Sequence, residues 1–184
     1  MRIIAGTWRG RPILSPADAA IRPTSDKVRG AIFNILEHGE YAITPATRVL
    51  DGFCGSGAMG LEALSRGASH ALFLDNATPS LQLAKQNAEN FKAQKQCAFE
   101  MRDLTRPQTW RAEPFNLVFL DPPYRKGLPP LALATLEDGH FLADGALAVV
   151  ETEKKESFPL TPRWQLLDTR SWGKTAAHFI AYTK

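Results

Sequence analysis

The chain has 184 residues, 44% hydrophobic and 22% charged, and a formal net charge of +3. That length suits one domain with a real core. No apolar run approaches the roughly 20 residues of a membrane span, and the opening residues lack the apolar stretch of a secretory signal. Cys54 and Cys97 match no zinc spacing and the four histidines are scattered, so a cytoplasmic protein without a metal site or membrane contact is expected, its cysteines small buried residues in a reducing compartment. Charge is distributed unevenly. Residues 1–30 hold six basic residues against two acidic ones, and the rest of the chain sixteen against seventeen. An excess confined to one end predicts a polyanionic partner.

In chain order, residues 2–14 read as a basic β-hairpin around Trp8-Arg9-Gly10-Arg11, and residues 15–23 as a Pro/Ala/Asp loop. Trp8 reads equally as a ring for stacking on a base or as hairpin packing. Thr24 can cap a helix running to about Glu37, with Val28, Ile32, Phe33, Ile35 and Leu36 as its apolar face. Strands are predicted at 47–51, 70–75, 97–101, 115–120, 145–151, about 164–170 and 176–183. Helices are predicted at 57–66, 78–91 and 128–138, with a short turn near 154–158. Such alternation implies a mostly parallel, doubly wound α/β sheet. The last two strands have no full helix between them, and Trp172-Gly173-Lys174 reads as a hairpin link, so the final strand is predicted antiparallel. Two parts follow: an N-terminal hairpin and helix extension (1–40) and a main domain (41–184).

Val49-Leu50-Asp51-Gly52-Phe53-Cys54-Gly55-Ser56-Gly57-Ala58-Met59-Gly60 leads from a strand into a helix. Gly55, Gly57 and Gly60 satisfy G-x-G-x-x-G, and Asp75 follows 20 residues after Gly55, which matches the dinucleotide fingerprint. A nicotinamide enzyme is therefore a competitor. Asp51 argues against it. A pyrophosphate seeks the backbone N–H donors of a helix N-terminus, and a carboxylate there repels it, whereas the ammonium and sulfonium of S-adenosylmethionine are attracted. Asp51, Gly52, Gly55 and Gly57 are thus assigned to S-adenosylmethionine, with Asp75 and Asn76 toward its ribose. Asp103 would accept from the adenine amino group and Leu104 would cover the ring.

Asp121-Pro122-Pro123-Tyr124 follows the apolar strand Phe115–Leu120, at the carboxyl end where open α/β sheets place their ligands. The prolines stiffen the turn. Asp121 and the Pro122 carbonyl offer acceptors to an exocyclic amine, and Tyr124 offers a flat face to a base. These are the parts of a site that methylates a nucleobase nitrogen. The architecture expected is a Rossmann-like S-adenosylmethionine-dependent methyltransferase fold, a seven-stranded mostly parallel sheet with an antiparallel last strand.

Over nearly its whole length the chain resembles the RsmD-type 16S rRNA (guanine-N2) methyltransferases of bacteria. The resemblance lies in Arg2-Ile3-Ile4-Ala5-Gly6-Thr7-Trp8-Arg9-Gly10-Arg11, in Arg22-Pro23-Thr24-Ser25-Asp26-Lys27-Val28-Arg29, in Phe33-Asn34-Ile35-Leu36, in Gly55 to Ala68 and in Asp121-Pro122-Pro123-Tyr124. The last two are shared with many methyltransferases; the N-terminal arm is the specific part. Cys54 stands where the family commonly has alanine, Asp75 where it has glutamate and Lys27 where it has arginine. The resemblance implies methylation of a guanine amino group in 16S rRNA, within an assembled or assembling small subunit. With no edge obviously built for self-association, a monomer is the default expectation. The arm's Arg9, Arg11, Arg22, Lys27 and Arg29 would bind RNA phosphates. The rival readings are an adenine-N6 DNA or RNA methyltransferase, which uses similar Asp-Pro-Pro-Tyr chemistry, the nicotinamide oxidoreductase, and a non-catalytic RNA-binding assembly factor.

Overall fold

In the computed structural model, which describes residues 1–15 and 25–184, the elements follow in the order α1 (Asp26–Glu37), β1 (Arg48–Gly52), α2 (Ala58–Ser65), β2 (His70–Asp75), α3 (Thr78–Asn90), β3 (Cys97–Met101), β4 (Phe115–Leu120), α4 (Leu128–Asp138), β5 (Leu142–Glu153), β6 (Trp164–Trp172) and β7 (Thr175–Tyr182). The strands form one sheet ordered β3-β2-β1-β4-β5-β7-β6. β7 runs antiparallel to both neighbours and the other pairings are parallel. The chain winds outward one way through β2 and β3, then crosses back to β4. The crevice between β1 and β4 is therefore the switch point where such sheets bind ligands.

The strands are near-continuous apolar runs because both faces are covered. One face packs under α1, α2 and α3 through Val49, Ala71, Phe73, Phe119, Val149 and Phe179. The other packs against α4 through Leu50, Leu72, Val118, Val150 and Ile180. Where that second face lacks further helices, Trp110 from the β3–β4 loop stacks on Phe141, 5.6 Å between ring centres. β6 forms the outer edge, and its register with β7 shifts between Leu166 and Asp168.

The N-terminal arm is looser than a ladder hairpin. A single bridge joins Arg2 to Pro12, helped by bonds from Ile3 N to the Arg11 carbonyl and from Ile13 N to the Met1 carbonyl. Thr24 lies outside the described residues, and Ser25 caps α1 by accepting from Val28 N at 3.2 Å. Ile3, Ile13, Ile32 and Phe33 join the same core as Val49 and Leu61. Residues 1–40 and 41–184 thus share one interior. β5 extends to 142–153 where 145–151 was expected, because it pairs with both β4 and β7.

Glu62 of α2 is the buried tie. Its carboxylate is fully enclosed and accepts from Ile4 N at 2.8 Å, Ala5 N at 3.0 Å and Arg66 Nε at 2.8 Å. Arg29 of α1, also fully buried, places its Nε 3.7 Å from the same carboxylate and bonds Asp26 at 2.9 Å. Removing one member of a buried ion group strands the charge that remains. Glu62→Ala is expected to cost about 3–5 kcal/mol of unfolding free energy in urea titration. A loss below about 1 kcal/mol would show that the arm is held by its apolar contacts alone.

Candidate active site

Side chains alternate along a strand. Val49, Phe73, Phe119 and Val149 all enter the core beneath α1–α3. The residues two places later are Asp51, Asp75, Asp121 and Glu151, so all four acids lie on that same face, at the carboxyl ends of β1, β2, β4 and β5. Phe119 pairs with Val149, which sets Asp121 and Glu151 level on neighbouring strands. Asp51 pairs with both Phe73 and Phe119, which sets Asp75 and Asp121 one step beyond it on either side.

Asp51 is buried, 3% exposed. It accepts a hydrogen bond from Gly60 N at 2.8 Å, in the first turn of α2. The approach requires glycine: a Cβ at Gly60 would stand 2.5 Å from the Phe73 ring and 3.2 Å from the Asp51 carboxylate. Burial pushes the Asp51 carboxyl up to about 8, and the charges of Asp121 and Asp75 add to the rise against the lowering bond from Gly60. A donor that a dinucleotide's pyrophosphate would need is thus already occupied by a carboxylate. The site favours a cation.

Asp75 clamps the glycine loop to the end of β2. One carboxylate oxygen accepts from Gly55 N at 3.0 Å and the other from Ala77 N at 2.9 Å. Gly55 and Gly57 take positive φ, 52° and 77°; a Cβ on Gly55 would meet nothing within 4 Å, so its backbone faces open space, whereas one on Gly57 would stand 3.1 Å from both Ala84 and Phe73. Gly52 also has a packing reason to be glycine. A Cβ there would lie 2.6 Å from Leu104 and 2.7 Å from Leu120, so its lack of a side chain serves packing on the α4 face. Leu104 is correspondingly buried in that core, 2% exposed. The apolar surface beside Asp75 is Met101, which pairs with it across β2–β3 and is 67% exposed. An exposed methionine at a strand end is ordinary in sequence, so it escaped the sequence reading. Asp103 accepts from both the side chain and backbone of Thr105, which hold its carboxyl below the usual range. It lines an open depression of about 560 Å³ with Met101, Arg102 and Gln108. Asn76 is exposed at the mouth.

Asp121 is half-buried, Pro122 buried and Tyr124 36% exposed, its hydroxyl 3.2 Å from that of Thr175 on β7. The aspartate-proline turn therefore faces the start of the last strand. The thiols of Cys54 and Cys97 are both raised by burial, Cys97 to about 12.

The cations expected of the arm scatter. Arg22 lies outside the described residues. Arg29 is fully buried against Asp26 and Glu62, because α1 turns it inward to meet the arm. Arg11 donates to the Asn90 carbonyl at 2.5 Å and covers the Phe91 ring at 4.8 Å. Trp8 stacks on the same ring, 5.2 Å between centres. Arg9 is exposed beside them, and Lys27 is exposed in the first turn of α1. Phe91 closes the C-terminal end of α3, a 13-residue helix that begins at the acids and descends about 20 Å away from them. Arg9 and Arg11 belong to that far end.

A family model, Conserved hypothetical protein 95, matches residues 1–181. The chain belongs to this family. It is 38% identical to the Ribosomal RNA small subunit methyltransferase D of Escherichia coli over 178 residues, 96% of this chain and 87% of that one. It is 35% identical to the protein of the same name from Haemophilus influenzae, covering 94% and 89%. Its fold overlays the solved Escherichia coli "putative methyltransferase yhhF" with a TM-score of 0.83 at 36% identity, covering 100% and 98% of the two chains. An RNA methyltransferase from Salinibacter ruber, solved with S-adenosyl-L-homocysteine, shares the fold at 15% identity and a TM-score of 0.65, covering 88% and 94%.

The elevated Asp51 pKa has a stability consequence of fixed sign. The folded state resists ionising this carboxyl, so its contribution is complete below about pH 4 and is lost as pH rises through about 8. The stability of the wild type relative to Asp51→Asn is expected to fall across that window, by at most about 1.4 kcal/mol per pH unit. Urea midpoints of both proteins at a series of pH values measure it. A gap that is constant with pH would mean Asp51 titrates as an exposed acid.

Proposed function

We propose that the protein transfers the methyl group of S-adenosylmethionine to the N2 amino group of a guanine in the 16S rRNA of an assembled or assembling small ribosomal subunit. The observation that carries the reading is Asp51, a buried carboxyl bonded to Gly60 N at the switch point of the sheet, beside Asp75 and Asp121. The relatives named for small-subunit rRNA methylation support the substrate class.

The bound cofactor supplies an electrophilic methyl group on a sulfonium; the chain supplies position and field. Asp51 and the Gly55–Gly57 loop would hold the cofactor's cationic end, Asp75 its ribose hydroxyls, and Asp103 and Met101 its adenine. Guanine's amino lone pair is delocalised into its ring, which makes it a weak nucleophile. Asp121 accepts one hydrogen of that amine and the Pro122 carbonyl the other, which directs the lone pair at the methyl group. Alkylation makes the nitrogen acidic, so it gives up its proton to Asp121 or to solvent without a strong base. Tyr124 stacks on the base, which leaves its own stack to enter the site. Holding both partners near attack geometry supplies several kcal/mol of the barrier.

The deciding experiment incubates the protein with labelled S-adenosylmethionine and small subunits lacking the modification, then identifies the methylated nucleoside by mass spectrometry. N2-methylguanosine in 16S rRNA is expected; methyladenosine would overturn the base assignment. Asp121→Ala is expected to lower turnover by at least a hundredfold while cofactor affinity, read by calorimetry, is retained. Loss of cofactor binding as well would make Asp121 structural. Ionising Asp51 on binding expels a proton, so cofactor affinity is expected to rise with pH up to about 8 in the wild type and to be flat for Asp51→Asn.

A further inference from the structure

Asp75, Asp121 and Glu151 on the floor of the site repel the phosphates of any RNA whose base must reach Asp121. Arg11, packed at the far end of α3, and Arg9, exposed two residues before it, are too distant to offset that repulsion. The compensating charge comes from three loops that the fold gathers beside Tyr124. Arg125 and Lys126 follow the aspartate-proline turn, Lys154 and Lys155 follow β5, and Lys174 occupies the β6–β7 turn, and all five are exposed. β5 and β7 pair as far as Glu153 and Thr175. Lys154 N then donates to the Lys174 carbonyl at 2.8 Å, which locks the second and third loops together. Arg125 fastens the first loop to them: its guanidinium grips both Glu153 oxygens, at 2.5 and 2.6 Å, and its backbone N donates to Glu156 at 3.3 Å. Lys155 and Lys174 also lie close enough to lower the Glu153 carboxyl, behind the larger effect of Arg125. Five cations face two acids, which leaves a surplus of three on this rim.

We propose that Lys126, Lys154, Lys155 and Lys174 form a clamp for the RNA phosphates flanking the target nucleotide, with Arg125 as the post that holds its three loops in one frame. The inference rests on the reading of the protein as an RNA methyltransferase and locates the substrate backbone on the β5–β7 side of the site. Phosphate contacts of this kind set position without reading sequence. They release counterions, with a salt slope of about −0.7 per contact on single strands.

The test measures binding of the full-length protein to small ribosomal subunits across a series of KCl concentrations. The proteins are wild type, the quadruple Lys→Gln variant at 126, 154, 155 and 174, and Lys92→Gln/Lys95→Gln at the end of α3 as a control matched in charge to the Lys154→Gln/Lys155→Gln pair. Single Lys174→Gln and paired Lys154→Gln/Lys155→Gln variants guard against a folding failure in the quadruple one. The quadruple variant is expected to lose about three from the slope of log affinity against log salt and at least tenfold in affinity at 0.1 M KCl, with the control unchanged. Unchanged slope and affinity in the quadruple variant, an equal loss in the control, or a wild type without salt-dependent binding would each overturn the clamp. Formation of N2-methylguanosine, scored in parallel, separates the two ideas. Lost binding without guanine methylation by the wild type leaves the clamp standing and removes the guanine reading; guanine methylation with unchanged binding does the reverse.

Discussion

Asp51 is a carboxylate kept out of water by the strands on either side of it, and its bond to Gly60 decides where α2 begins. The bond exists only because Gly60 has no side chain to strike Phe73. From that contact the rest of the cofactor end follows. The glycine loop has a fixed end point, Asp75 can reach back to Gly55, and the first turn of α2 is satisfied from within the chain. A buried acid with two acidic neighbours is a poor stabiliser. Its persistence in the middle of a well-packed sheet is the sort of local cost that function explains better than folding does.

A second buried carboxylate, Glu62, has the opposite character. Its contacts tie segments distant in sequence, the arm through Ile4 and Ala5 and α1 through Arg29, and a local bond from Arg66 at the end of α2 completes its shell. Asp51 is surrounded by like charges and Glu62 by donors. The two acids stand on neighbouring elements, and the difference between strained and satisfied separates the working end of the molecule from its scaffold.

Much of this was legible in the sequence. The strands announced themselves as apolar runs ending in acids, and the lack of a helix between β6 and β7 foretold the antiparallel strand. The fate of individual cations was not legible. Nothing local to Arg29 says that it points inward; its partner Glu62 is 33 residues away and they meet only when α1 packs on α2. Counting charge along the chain placed the basic excess in the arm. It hid the rim cations because they come from three separate stretches, and their surplus of three is lost among the seventeen acids of residues 31–184. Leu104 was misplaced for a related reason. Position after a strand predicts proximity to the cofactor, but which way the side chain turns depends on the gap left by Gly52.

The register shift between Leu166 and Asp168 lies on the one strand of the β5–β7–β6 side that has no outer neighbour. β6 is exposed along most of its length, with Leu166 and Leu167 at 52% and 44%. A straight strand with those residues would be a template for another chain to extend the sheet. The extra residue throws the outward N–H and C=O groups out of step, so an incoming strand can match one half of the edge or the other. The irregularity therefore works against the sheet being lengthened at this edge by a strand from a second chain.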